Sequence, residues 1–166
     1  MQTVLHAGCG SEKLPTWLGG RKEVRLDIDP EVKPDIVAGL TDLGDIGPFD
    51  MVFCSHTLEH LYPHQVHQAL TEFKRVLRDC GGLIVVVPDL EDVKPTEEKV
   101  YDSASGPICG LDMYYGYSKY TAINPYMAHH TGFVKETLTK VITQAGFRQV
   151  RVERVDVCNL LGVAVK

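Results

Sequence analysis

Apolar residues along this chain fall mostly into short runs closed by glycine, proline or acid, with two stretches of helical period among them. Thr3-Val4-Leu5-His6 is a brief run ending at Gly8, and Val24-Arg25-Leu26-Asp27-Ile28 is a second that ends in acid and then Pro30. Asp35-Ile36-Val37-Ala38 has the pattern of a short third strand. Phe49 to Cys54 and Leu83 to Val87 are rich in β-branched and aromatic residues, which predicts two more strands. The Leu83 to Val87 run is apolar on both faces, as a parallel strand covered on each side requires. Between these two, Val66, Ala69, Leu70, Phe73, Val76 and Leu77 recur at helical spacing, with Pro63 suited to the first turn and Gly81-Gly82 beyond the end. A second amphipathic segment carries Val134, Leu138, Val141, Ile142 and Ala145, stops at Gly146, and leads into terminal strands over 147–155 and 160–165.

Strand, helix and strand in that order imply parallel pairing through right-handed crossovers. The pattern therefore predicts an α/β fold with a doubly wound, mostly parallel sheet and helices on both faces. Few residues separate Gly8 from Val24, and they include Pro15 and Gly19-Gly20, so the first crossover helix is expected to be short or irregular. The stretch 89–131 holds Pro95, Pro107, Pro125 and many tyrosines and is too long to be a plain connection. It is expected to form a lid or acceptor-site wall within a single domain spanning 1–166.

Composition narrows the picture. A chain of 166 residues with 44% hydrophobic and 23% charged residues has ordinary globular usage, and no apolar run approaches the ~20 residues of a membrane span. The opening Met1-Gln2-Thr3-Val4-Leu5 lacks a basic region and a cleavable apolar stretch, so a cytoplasmic location and no membrane partner are expected. Five scattered cysteines without a Cys-x-x-Cys pair read as reduced thiols. A net charge of −5 argues against a large phosphate-neutralising face, so nucleic acid is not an expected partner; a homodimer is left open.

A glycine turn after a first strand allows close backbone approach to a ligand, and an acid at the end of the second can take two ribose hydroxyls. Gly8, Gly10 and Asp27 hold those positions. A dinucleotide fingerprint is not completed, because Lys13 stands where the third glycine of Gly-x-Gly-x-x-Gly belongs. Together with Arg25-Leu26-Asp27-Ile28-Asp29-Pro30, Phe49 to Leu61, Phe73 to Gly82 and the closing Ala145-Gly146-Phe147, the segment Leu5-His6-Ala7-Gly8-Cys9-Gly10 resembles the class I (Rossmann-like) S-adenosylmethionine-dependent methyltransferases, particularly the short type 11-like members. The resemblance spans nearly the whole chain and thins between Leu90 and Ile123.

That resemblance implies S-adenosyl-L-methionine as cofactor, with a binding site made of His6, Gly8, Cys9, Gly10, Asp27, Ile28, Leu40, Thr41, Ser55 and His56. Gly8 and Gly10 would face the methionine portion and Asp27 the ribose. Ile28 on one side and Leu40 with Thr41 on the other would hold the adenine, while Ser55 and His56 approach the methionine end. Three positions depart from the family pattern. His6 replaces an acid or asparagine, Glu12 replaces the third glycine, and Gly39 stands where many members carry an aspartate for the adenine amine, with Asp42 three residues on.

Seven histidines raise the question of a metal, since His56, His60, His64 and His67 lie four, four and three apart. Pro63 interrupts any single helix through that set, so no metal site is expected from it, and His64 and His67 read as a solvated helix face. Some quinone-pathway O-methyltransferases carry Glu-x-x-Glu-His at the place of His56-Thr57-Leu58-Glu59-His60 and use it for a divalent ion. Here the first acid is His56, and hydrogen bonding of Glu59 and His60 to backbone at the pocket rim is the favoured reading. His60 and His130 are the candidates to take the acceptor's proton. The expected activity is methyl transfer to a small polar acceptor, a saccharide or its precursor on the pattern of short relatives. The departures at His6, Glu12 and Gly39 keep a non-catalytic cofactor-binding module or inactive partner subunit as an alternative. A nucleic-acid methyltransferase is the other alternative, opposed for base amines by Ser55-His56-Thr57-Leu58 in place of Asn/Asp-Pro-Pro-Tyr/Phe.

Overall fold

In the computed structural model, which describes residues 1–166, each predicted apolar run becomes a strand of one seven-stranded sheet. β1 (Thr3–Ala7), β2 (Lys22–Asp27), β3 (Ile36–Val37), β4 (Phe49–Ser55) and β5 (Leu77–Pro88) are joined at one edge by β8 (Arg148–Arg154) and β9 (Asn159–Val165). The strand order is β3-β2-β1-β4-β5-β9-β8. Pairing is parallel from β3 to β5, whereas β9 runs antiparallel to both β5 and β8. The order reverses between β1 and β4, so the crevice at their carboxyl ends is where an open sheet of this kind takes a ligand.

Alternation along the strands sorts the core. Leu5, Ala7, Val52, Cys54, Leu83, Val85, Val87 and Leu160 point to one face, where helices α1 (Pro63–Val76) and α4 (Lys135–Gln144) bury Val66, Leu70, Phe73, Leu138 and Ile142 in a single cluster. The 3.6-residue stripes read from the sequence are those buried faces. Val4, Phe53 and Ile84 point to the opposite face, where they meet Leu18 and Leu14 of the β1–β2 connection. That connection contains only a one-turn 3-10 helix, Thr16–Leu18, since Pro15 and Gly19-Gly20 leave no room for more. The helical cover expected on both faces is thus reduced on this side to a loop, and Trp17 and Val163 stay exposed.

Two local boundaries differ from the pattern. β5 begins at Leu77, directly after α1, and includes Gly81-Gly82 with an irregular register, because Leu77 pairs with Phe49 before the regular ladder starts at Gly82. The stretch 89–131 contains a hairpin, β6 (Lys99–Ser103) with β7 (Gly106–Cys109), and two short helices, α2 (Gly110–Tyr115) and α3 (Ser118–Thr121). Ile108, Met113 and Cys158 form its own small core with Leu90, Val93 and Tyr101 packed against them. It is rooted at the sheet by Asp89, whose buried carboxylate takes Nε of Arg154 at 2.6 Å, and by the amide of Leu90, which donates to the carbonyl of Phe133.

Candidate active site

The glycine turn and the acid of β2 are physically joined. Gly8 and Gly10 both lie in the left-handed region, at φ 69° and 49°. The amide of Gly10 donates to Oδ2 of Asp27 at 2.7 Å, and that of Asp29 donates to Oδ1 at 2.9 Å. Each carboxylate oxygen keeps a second lone pair, and Asp27 is only half-buried, so it can still receive two hydroxyls. A side chain at Gly10 would stand in open space with nothing within 4 Å, the kind of gap that lets a ligand reach backbone. Gly8, by contrast, is closed over by Thr57, whose hydroxyl donates to the Gly8 carbonyl at 3.3 Å.

Beside them, Ile28 is 48% exposed at the sheet's carboxyl edge, with Gly39 next to its Cδ1 and Thr41 half-buried. Leu40 turns into the main core instead. Cys9 is buried, and burial pushes its thiol pKa upward. His6 is also buried, with its ring against Phe53 and Nδ1 at 2.7 Å from Glu23 Oε1. Burial lowers its pKa in spite of Glu23. The open glycine, the half-free carboxylate and the exposed isoleucine together fit an adenosyl group. His6, Cys9 and Leu40 are directed into the protein.

Sequence reasoning missed Arg25. From the middle of β2 its guanidinium donates to the carbonyls of Gly10, at 2.6 Å, and Glu12, so it holds the loop from the side opposite Asp27. A bond to backbone carbonyls carries no residue-type signature.

At the end of β4, Ser55 is half-buried and His56 sits exposed with φ 50°, an uncommon conformation for a residue with a side chain. Nδ1 of His56 lies 3.4 Å from Oε1 of Glu59, and although burial opposes it, that carboxylate raises the imidazole's pKa. Glu59 is 2% exposed. Burial would raise its pKa, but His56, His60 and His129 outweigh that and hold it lowered. Its side chain bonds no backbone group, contrary to the expected rim role, and Oε2 has no partner at all. His60 does bond backbone, Nδ1 to the carbonyl of Ala128 at 3.1 Å.

The lid docks here. The amides of His130 and Thr131 donate to the carbonyl of Glu59, and the Thr131 hydroxyl donates to that of Leu61. His129 is half-buried and lies against His60, with ring centroids 5.0 Å apart. His130 is exposed and stacks on Tyr62, centroids 4.2 Å apart. The structure brings His56, Glu59, His60 and His129 together around a cavity of about 150 Å³, walled by Tyr101, Ile108 and Met113 of the 89–131 stretch, and leaves His130 outside it. Burial pushes the Tyr101 phenol up to about 12, so it stays a hydroxyl donor. A larger cavity of about 460 Å³ is lined by Tyr114, Tyr115, His130 and Phe133, and His129 borders both.

This sheet order, with its terminal antiparallel hairpin and carboxyl-end glycine turn, defines the class I S-adenosylmethionine-dependent methyltransferases. Residues 5–86 match the model of the methyltransferase domain family. No curated protein matches the chain. Among solved structures it is similar to an S-adenosylmethionine-dependent methyltransferase from Archaeoglobus fulgidus, at 17% identity over 99% of this chain and 86% of that one, with a TM-score of 0.70. It is also similar to Burkholderia thailandensis 1,6-didemethyltoxoflavin-N1-methyltransferase, solved with S-adenosylhomocysteine, at 16% identity over 99% and 71% and a TM-score of 0.68. Human N-acetylserotonin methyltransferase, in complex with S-adenosylmethionine, matches at 13% identity and a TM-score of 0.64, and the chain spans about half of its length, 47%. At these identities the likeness is one of fold. No helix is long and apolar enough to cross a membrane.

Proposed function

We propose that this chain moves the methyl group of S-adenosylmethionine to a small polar acceptor held under the lid. The observation that carries the reading is Asp27, which holds the amide of Gly10 while keeping lone pairs free beside an open glycine and an exposed Ile28. In this reading Asp27 receives the ribose hydroxyls, Ile28 and Thr41 flank the adenine, and Ser55 and His56 border the methionine end. The bound cofactor supplies a methyl group on a positively charged sulfur. The chain's own part is to align the acceptor with that methyl and to exclude water.

The about 150 Å³ cavity that His56 shares with the lid is the acceptor pocket. It is smaller than the ~300–1,000 Å³ of sites for drug-sized ligands, which favours a compact acceptor such as a sugar unit or its precursor. The acceptor's proton is lost beside the Glu59, His60 and His129 group on the pocket wall. Calorimetric titration with S-adenosylmethionine and S-adenosylhomocysteine tests the reading. The native chain should bind both, and Asp27→Ala should lose about 2–3 kcal/mol, since hydrogen bonds to a charged group are at stake. Absence of binding by the native chain at millimolar ligand overturns the proposal.

A further inference from the structure

We infer that Glu59, His60 and His129 form a site for one divalent transition-metal ion of the Zn²⁺ type, bridging the lid to the body of the domain on the wall of the acceptor pocket. A carboxylate oxygen of Glu59 and one ring nitrogen from each histidine lie within 4.8 Å of one another, so adjustments of about an ångström bring all three to bonding distance of one ion. The ligands come from two separated parts of the chain, the turn after β4 and the lid segment before α4.

Three further observations point to a cation. Nδ1 of His60 faces the carbonyl of Ala128 at 3.1 Å, and Nδ1 of His129 faces that of Met113 at 2.9 Å. A carbonyl only accepts, so both Nδ1 atoms carry hydrogen and both Nε2 lone pairs are free, with the rings held in place as metal-bound histidines usually are. Glu59 is 2% exposed and its Oε2 meets no donor, although His56 holds Oε1. An orphaned buried carboxylate oxygen is costly, and no lysine or arginine lines the cavity to relieve it. Finally, two imidazoles and one carboxylate suit Zn²⁺ and its first-row neighbours, whereas Ca²⁺ and Mg²⁺ prefer all-oxygen sets.

Three protein ligands leave further coordination positions, and these face the cavity shared with Tyr101, Asp112 and Asn159. Resting on the reading of that cavity as the acceptor pocket, the inference narrows the acceptor to a molecule that presents a hydroxyl or carboxylate oxygen to the ion. The lid would then be fastened by the ion as well as by its backbone bonds to Glu59 and Leu61.

Chelator-stripped protein is titrated with Zn²⁺ by calorimetry, and with Co²⁺ followed by visible absorption. The expected result is one ion per chain, with Glu59→Gln and His129→Gln each weakening binding at least about tenfold and His64→Gln, on the exposed face of α1, leaving it unchanged. No saturable uptake by the native chain, or uptake that His129→Gln leaves untouched, overturns the inference. So does a near-ultraviolet thiolate-to-cobalt band on the native chain, since it would place the ion on Cys80 or Cys109; this reading does not depend on any variant folding. S-adenosylhomocysteine titrated into the same samples separates the two claims. A chain that takes the ion without binding this ligand keeps the metal site and refutes the methyltransferase reading, and the reverse pattern refutes only the metal site.

Discussion

The guanidinium of Arg25 reaches from the middle of β2 to the carbonyl oxygen of Gly10, 2.6 Å away, and gives the glycine turn a support that Asp27 alone does not provide. Asp27 holds the amide side of Gly10 and Arg25 the carbonyl side, so the peptide planes of the turn are fixed from both directions. Arg25→Ala should leave the fold intact, because the residue is partly exposed. It should lower affinity for S-adenosylhomocysteine roughly tenfold, the loss of about 1.4 kcal/mol of loop ordering. Calorimetry beside a urea unfolding curve checks this; affinity equal to that of the native chain would show that the turn needs only Asp27.

Gly8 and Gly10 share positive φ but differ in surroundings, and alanine separates their roles. At Gly10 a methyl group meets open space, so Gly10→Ala should cost only the ~1–2 kcal/mol of a side chain in left-handed backbone while obstructing cofactor binding. At Gly8 the same methyl would lie 2.2 Å from Cγ2 of Thr57. Gly8→Ala should therefore destabilise by about 3 kcal/mol or more, adding overpacking to the backbone term. Denaturant midpoints and ligand titrations on both variants test the contrast, which disappears if the two lose stability equally.

How far these features could be read beforehand depended on whether their cause was local. β1, β2, β4, α1 and α4 follow from period 2 or 3.6 in short windows, and the glycine turn with Asp27 follows from residue types at strand ends. The β6–β7 hairpin has no such signature. Lys99-Val100-Tyr101-Asp102-Ser103 is largely polar, and Tyr101 is placed by packing against Ile108, Met113 and Cys158, the last of them from beyond β8. The second sheet face was legible only as a short crossover, because whether Leu14 and Leu18 cover it depends on how the loop folds back. Glu59 with His129 lay further out of reach, since residues 70 positions apart meet only once the 89–131 stretch has packed on the sheet.

Arg154 ties the 89–131 stretch to the sheet. Its Nε bonds Oδ2 of Asp89 at 2.6 Å, Nη1 bonds Asp92 at 2.8 Å, and Asp89 is 1% exposed. Removing the guanidinium leaves a buried carboxylate with the Glu91 amide as its remaining donor, at the point where the 89–131 stretch leaves β5. Arg154→Ala should detach the 89–131 stretch more often than it unfolds the sheet, and local opening exposes backbone to proteases. Limited proteolysis should cut severalfold faster within 91–128 while the rest of the chain stays protected. Uniform acceleration across the chain would instead mean that the pair stabilises the whole domain.

His6 gives the fold a pH dependence whose sign follows from its burial. The ring is 3% exposed, and burial holds its pKa below the ordinary ~6.5 even though Glu23 accepts from Nδ1. The unfolded chain therefore takes up the proton at a higher pH than the folded one. Stability from this group is complete above the unfolded value and is lost as pH falls from there through the folded value. His56 works in the opposite sense, because Glu59 raises its pKa, so the two must be separated by substitution. His6→Gln keeps a donor toward Glu23 but does not titrate. Between about pH 7 and about pH 5 the native chain should lose stability relative to His6→Gln, read as converging or crossing urea midpoints. Parallel midpoints across that range would mean that His6 takes its proton as readily in the folded chain as in the unfolded one, against its burial beneath the glycine turn.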